Sequence, residues 1–331
     1  MRFPLLIAFL ALIALGCSPE RKIDFEKHAQ ELEGISGKLE SDFVKIRKEV
    51  EQVAGFTKSL YEKQDKTECR DTSIYKMSEQ GVLYKVRDDG GSAVFVSGAV
   101  PVNQKIKDIV CFTEPLDSVF KEVVGKYPAV VQAYYNDRYN YNRIYPFFNV
   151  LNQYQPGLKI PEFNFYYLAD EGHNPEKEGV WVNEPYVDPA GRGWMISAIA
   201  PVYYKQELVG VPGMDVTIST ILDRYLTEGH ENIFIVDKMG VMVLAKSHIL
   251  NELNLPDFNE YKYFETIKAD TYKKQNFNML KHKSKEVRDA MAKIITNGQD
   301  KVSFKYENFN YYFLVDRVDE LDWYVIKMIR F

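Results

Sequence analysis

A chain of 331 residues with 46% hydrophobic and 27% charged side chains is long enough to bury more than one globular core without a staple. Its 42 Lys and Arg against 47 Asp and Glu leave a formal charge of −5 with no basic cluster, which argues against nucleic-acid binding and against electrostatic attraction to anionic lipid. Three cysteines without a CxxC pair and five histidines without HExxH spacing give no metal or cofactor signature.

The amino terminus reads as an export signal. Met1-Arg2 is followed by an unbroken apolar run from Leu5 to Leu15, then Gly16-Cys17 and the polar Ser18-Pro19-Glu20. A positive start, an apolar stretch of roughly 7–15 residues and a small residue before the cut define a secretory leader, and the run is too short to span a bilayer. Ala14-Leu15-Gly16-Cys17 resembles a lipoprotein lipobox with its Leu displaced by one position. The expectation is a leader over 1–16 and lipid on Cys17, an anchor that holds the body on an extracytoplasmic membrane surface. An ordinary signal peptidase cut near Gly16 is the alternative. Cys69 and Cys111 remain, and an exported compartment permits a disulfide between them worth roughly 3–4 kcal/mol, against two free thiols.

Residues 17–64 predict a long helix. Leu32, Ile35, Leu39, Phe43, Ile46, Val50, Val53 and Leu60 recur at three- and four-residue steps and define one apolar stripe. Gly34, Gly37 and Gly55 weaken it by up to ~1 kcal/mol each. The stripe suits either a coiled-coil-like homodimer seam or packing along the protein's own sheet.

From Ile74 the pattern turns to short β-like runs. Ile74–Val86 and Ser92–Val100 predict strands around the turn at Asp88-Asp89-Gly90-Gly91, and Leu116–Val124 and Pro128–Tyr135 predict helices. Phe163–Leu168, Trp194–Tyr203 and Leu208–Val216 predict strands, with a helix from Thr217 to about Leu226. A second unit opens with the hairpin Ile233–Asp237 and Val241–Ala245 around Gly240. It continues through a polar, partly helical stretch from Asn251 to Asn297, and closes with strands at Val302–Tyr306, Tyr311–Val318 and Trp323–Met328. The class is α+β, with units at 65–228 and 229–331.

The runs Val180-Trp-Val-Asn-Glu-Pro-Tyr-Val-Asp188, Gly193-Trp-Met-Ile-Ser-Ala-Ile-Ala-Pro-Val-Tyr203 and Leu208-Val-Gly-Val-Pro-Gly-Met-Asp-Val-Thr-Ile218, with Arg143-Ile-Tyr-Pro146 and Tyr166-Tyr167 upstream, resemble the double Cache family of extracytoplasmic sensor domains. The resemblance implies a long helix and two PAS-like modules with antiparallel sheets: a membrane-distal one (65–228) that holds a small ligand and a membrane-proximal one (229–331). It places ligand contacts at Tyr145, Tyr166, Tyr167, Tyr186, Asp188 and Asp215. Rings with polar tips and carboxylates among them suit a small polar cation. Amino-acid-binding members carry an arginine two residues before the aromatic pair. Here that position is Asn164, which favours an amine over an amino acid, since a neutral amide cannot replace a bidentate guanidinium.

Family members usually sit between membrane-spanning helices. No apolar stretch of spanning length is read here, so signalling would pass through a partner protein with a transmembrane route. Three readings follow: a small-molecule-binding sensor lipoprotein, a scaffolding lipoprotein with an unliganded sensor fold, and a hydrolase. The last has little support, because Ser197 and Ser247 lack a GxSxG context, His173 lies in the loop-like Asp170-Glu-Gly-His-Asn174, and Gly210-Val-Pro-Gly213 lacks the Gly-Lys-Ser/Thr ending of a phosphate loop.

Overall fold

A computed structural model describes residues 23–64, 71–256 and 274–331. Helix α1 (Phe25–Glu62) opens on Asp24, whose Oδ1 accepts from Lys27 N at 3.1 Å. At 1.5 Å per residue its 38 residues reach about 57 Å. Every residue of the predicted stripe is buried, Leu39, Phe43 and Val50 completely. Gly34, Gly37 and Gly55 have open space where a Cβ would stand, so they lie off the packed face. The stripe rests on the protein's own two sheets and is used up there. The homodimer-seam reading is therefore corrected: an apolar ridge already covered by intramolecular contacts cannot also zip to a second copy.

The larger sheet is built from β1 (Tyr75–Met77), β2 (Leu83–Lys85), β3 (Ala93–Val96), β4 (Gln132–Asp137), β5 (Tyr141–Tyr145), β6 (Val180–Val187), β7 (Trp194–Ile199), β8 (Val202–Tyr204) and β9 (Glu207–Thr217). The strands run in the order β1-β2-β3-β5-β4-β9-β7-β6, with β8 paired to β9, and all pairings are antiparallel. One face packs on α1, α2 (Gln104–Phe112) and α3 (Leu116–Lys126) through residues such as Val94, Ala133, Tyr135 and Met214. The opposite face is covered by the segment holding α4 (Val150–Gln153) and α5 (Asn164–Tyr167), with Phe95, Tyr134, Ile144 and Phe165 in its core. Helix α6 (Ile218–Tyr225) follows β9.

The smaller sheet comprises β10 (Ile233–Asp237), β11 (Met242–Leu244), β12 (Lys301–Tyr306), β13 (Phe309–Val318) and β14 (Trp323–Arg330), ordered β11-β10-β14-β13-β12. Its Ile235, Leu314 and Val325 face α1, while Phe234, Phe313 and Ile326 face α7 (Ser247–Glu252) and α8 (Lys285–Ile295). This is the mixed α+β class, a long first helix and then antiparallel sheets. Within the polar stretch from Asn251 to Asn297, residues 257–273 lie outside the described residues.

Three sequence expectations are corrected. Pro128–Tyr135, expected as a helix, enters strand β4. Both faces of that strand are buried, so it lacks the polar alternation that marks a half-exposed strand. Phe163–Leu168, expected as a strand from its aromatics, is the short helix α5, held by burial of Phe165 and Tyr166 in the covering segment. Ile74–Val86 is not one strand but the β1–β2 hairpin, with Gly81 at φ 77° in its turn.

The two sheets meet on α1. Phe43 lies 5.0 Å from the Trp181 ring of the larger sheet and 6.4 Å from the Trp323 ring of the smaller. Glu320 accepts from Trp181 Nε1 at 3.0 Å and pairs with Arg47 at 2.5 Å, so helix and sheets are locked at one level. Among the described residues no helix is long and apolar enough to cross a membrane.

Candidate functional site

Alternation along four neighbouring strands assembles the site. Gln132, Tyr134 and Asn136 on β4, Asn142 and Ile144 on β5, Ser197 on β7 and Asp215 on β9 all project to the sheet face turned away from α1. Register places Gln132 and Ser197 on either side of Asp215. The cavity they floor has a volume of about 30 Å³, room for a water or two. Tyr186 and Phe165 wall it with ring centroids 5.5 Å apart, Tyr154 stands at one side, and Leu158, Ile160 and Pro189 roof it.

Its chemistry is that of two buried acids. Gln132 Nε2 donates to Asp215 Oδ2 at 2.5 Å and, more weakly, to Asp188 Oδ2 at 3.4 Å. Ser197 Oγ donates to Asp215 Oδ1 and also meets Tyr186 Oη at 2.5 Å. Asp188 caps its own turn, accepting from Ala190 N at 2.8 Å and Arg192 N at 3.2 Å. Burial, and next the neighbouring Asp188 charge, push the Asp215 carboxyl up to about 7. Burial also raises Asp188, although the Ala190 and Arg192 N–H groups oppose it. Among the described residues, Gln132 Oε1 and Tyr134 Oη, the latter close to Ser197 and Tyr186, are buried without a well-formed hydrogen bond. Both unspent polar atoms belong to the cavity lining, and the lining holds no Lys or Arg. A cation that donates N–H bonds would restore both carboxylates to their charged form. Among the described residues no three His, Cys, Asp or Glu side chains converge on a metal-sized point.

Of the six expected ligand contacts, the structure brings Tyr186, Asp188 and Asp215 together here. Tyr145 follows Ile144 on β5 and so turns to the α1 face, where it packs with the main core. Tyr166 is buried beneath α5, its hydroxyl in the field of Asp137 and Arg138 on the helix side, and the cavity receives Phe165 instead. Tyr167 is 38% exposed and leans on His173, whose Nδ1 is 2.8 Å from Asp170. Sequence reasoning missed Gln132, Tyr134 and Ser197. The run Gln132-Ala-Tyr-Tyr-Asn136, buried on both faces, carries no clean alternation that could have pointed to Gln132 and Tyr134. Cys111 is disulfide-bonded, while Cys17 and Cys69 both lie outside the described residues.

Gly213 faces Tyr134 across the β4–β9 ladder, and a Cβ there would run into the tyrosine ring. The glycine is therefore a clearance for a site side chain, a role suited to a strand-interior glycine. Gly213→Ala is expected to destabilise the fold by about 1–3 kcal/mol through overpacking. It should also shift Tyr134, read as a changed tyrosine near-UV circular dichroism; an unaltered spectrum and unfolding midpoint would remove the clearance argument.

No protein-family model matches the chain, and no curated protein matches its sequence. Solved structures do. The extracellular domain of a histidine kinase superposes with TM-score 0.54 at 13% identity, over 92% of this chain and 93% of that one. The sensory domain of a Campylobacter jejuni chemoreceptor (CcmL) gives 0.46 at 12% identity, over 92% and 94%. The ligand-binding domain of the Pseudomonas fluorescens chemoreceptor CtaA, in complex with L-serine, gives 0.43 at 13%, over 64% and 75%. The first of these shows that the chain has the fold of that extracellular domain, with the larger sheet carrying a buried acidic cavity.

Proposed function

We propose that this protein is an extracytoplasmic receptor for a small amine. It is anchored by lipid on Cys17, with a ligand-holding module over 65–228 and a membrane-proximal module over 229–331. The observation that carries the reading is the pair Asp188 and Asp215, buried among Tyr134, Tyr186 and Phe165 with no cationic side chain in the lining. An ammonium group would supply the missing charge through charge-assisted hydrogen bonds and cation–π attraction. An amino acid's carboxylate would find no cation in the lining to pair with, and Asn164, whose neutral amide cannot replace a bidentate guanidinium, does not line the cavity. The cavity has room for a water or two, so an amine larger than that is admitted only if the roof around Leu158 and Pro189 moves outward. Ligand binding is then tied to a conformational change, which a partner protein with a transmembrane route reads.

The same small volume favours a second reading, a scaffold lipoprotein that keeps the fold and binds nothing. A thermal-shift screen separates them. Primary amines at a hundred times their dissociation constant are expected to add ~2.7 kcal/mol, a clear rise in melting temperature, while organic acids and nucleobases leave this cavity empty and amino acids bind weakly. No response from any amine in a folded protein would leave the scaffold.

A further inference from the structure

A second cavity is larger than the acidic one. A groove of about 570 Å³, within the usual range for small-molecule sites, opens between the two sheets, where the β6–β7 turn and α6 meet β11 and the start of α7. Trp194, Ile218 and Leu222 form one wall and Val243 and Leu250 the other. Two cations lie on this apolar surface. Arg192 donates Nη1 to Val131 O at 3.2 Å, its Nε and Nη2 make no side-chain hydrogen bond among the described residues, and its charge also reaches Asp188 and Asp215 across the turn. Lys246, only 22% exposed, is 3.8 Å from a Glu231 carboxylate that is itself 54% exposed, a loose ion pair that a better anion can displace. Asp223 is the one acid in the lining and is solvent-exposed on α6.

We propose that this groove is a second ligand site, for a small monocarboxylate with an apolar body. The guanidinium edge of Arg192 offers the parallel N–H pair that matches a carboxylate, Lys246 adds a second charge, and the walls accept an apolar ring or chain rather than a hydrated headgroup. The site stands apart from the acidic cavity in chemistry, but the turn from Asp188 to Gly193 belongs to both: Asp188 and Pro189 line one, Arg192 and Gly193 the other.

Phenylacetate titrated into the full-length chain tests this, read by tryptophan fluorescence, since Trp194 lines the groove, and by melting temperature. Binding is expected to saturate, to weaken about tenfold in both Arg192→Gln and Lys246→Gln, and to be absent for neutral phenylacetamide. Lys246→Gln changes a partly exposed side chain with no hydrogen bond to lose among the described residues, so it keeps the test sound if Arg192→Gln perturbs the turn. Phenylacetate is expected still to saturate the Asp215→Asn variant, where amine binding is lost, which separates this site from the amine cavity. No saturation by about 10 mM, equal binding of the amide, or affinity unchanged in both charge variants would overturn the proposal.

Discussion

Asp215→Asn is expected to abolish amine binding and, in the same protein, to raise the melting temperature of the unliganded form above pH 7. The two effects share one cause. The buried carboxyl titrates at about 7 in the folded state against 3.8 for the ordinary group. Below pH ~4 both states hold the proton and folding carries no ionisation penalty. Between about 4 and 7 the unfolded chain releases its proton while the native state keeps it, so stability falls as pH rises. Above 7 both states are ionised and the loss is complete. The linkage is worth at most roughly 4 kcal/mol. Asp137, raised to about 7 by burial on the helix side despite hydrogen bonds from Tyr139 N and Tyr61 Oη, adds a contribution of the same sign. Asparagine cannot ionise, fills the same volume, and lets the Gln132 amide turn so that its orphaned Oε1 accepts from the new side-chain amide.

The variant's melting temperature should therefore change less between pH 4 and 8 than that of the natural chain, by a few degrees, with Asp137 supplying what remains. Amine affinity should drop on the order of 100-fold or more, the usual consequence of removing the buried counter-charge. A variant less stable than the natural chain at pH 8 would show that the Gln132 and Ser197 hydrogen bonds outweigh burial. Retained amine affinity would move the ligand elsewhere.

Phe43→Ala is expected to cost about 3–5 kcal/mol, measured as a lowered urea midpoint. Its ring is fully buried against Trp181, Trp323 and Tyr225, so truncation opens a void bordered by both sheets and α1. Loss should reach both units, and the fluorescence of Trp181 and Trp323 should shift together as the substitution loosens their shared contact. A cost below ~1 kcal/mol would mean that the sheets fold without the helix between them.

How much of this was legible in the chain varies with the length over which a pattern persists. The α1 stripe was readable residue by residue, because a single face repeated over eight positions leaves few alternatives to a helix. The three final strands were equally plain. Strand β4 was not, since burial on both faces erases the alternation by which a strand is recognised, and with β4 went Gln132 and Tyr134. Tyr145 and Tyr167 have the chemistry of ligand contacts and neighbour the motif, yet a one-residue step on β5 turns Tyr145 to the opposite face.

By itself, then, the sequence determined the α+β class, the long amphipathic helix and the order of the main elements in the second unit, and it singled out Tyr186, Asp188 and Asp215, which the fold brings to one cavity. These depend on local periodicity and on short runs whose residues stay close in the fold. Only the tertiary structure decided that the helix stripe is spent on the protein's own sheets, which side chains share the acidic cavity, and that a larger groove lies between the sheets. Those are matters of strand register and of what packs on each face, and they are set by contacts between residues far apart along the chain, such as Gln132 with Asp215 or Phe43 with Trp323.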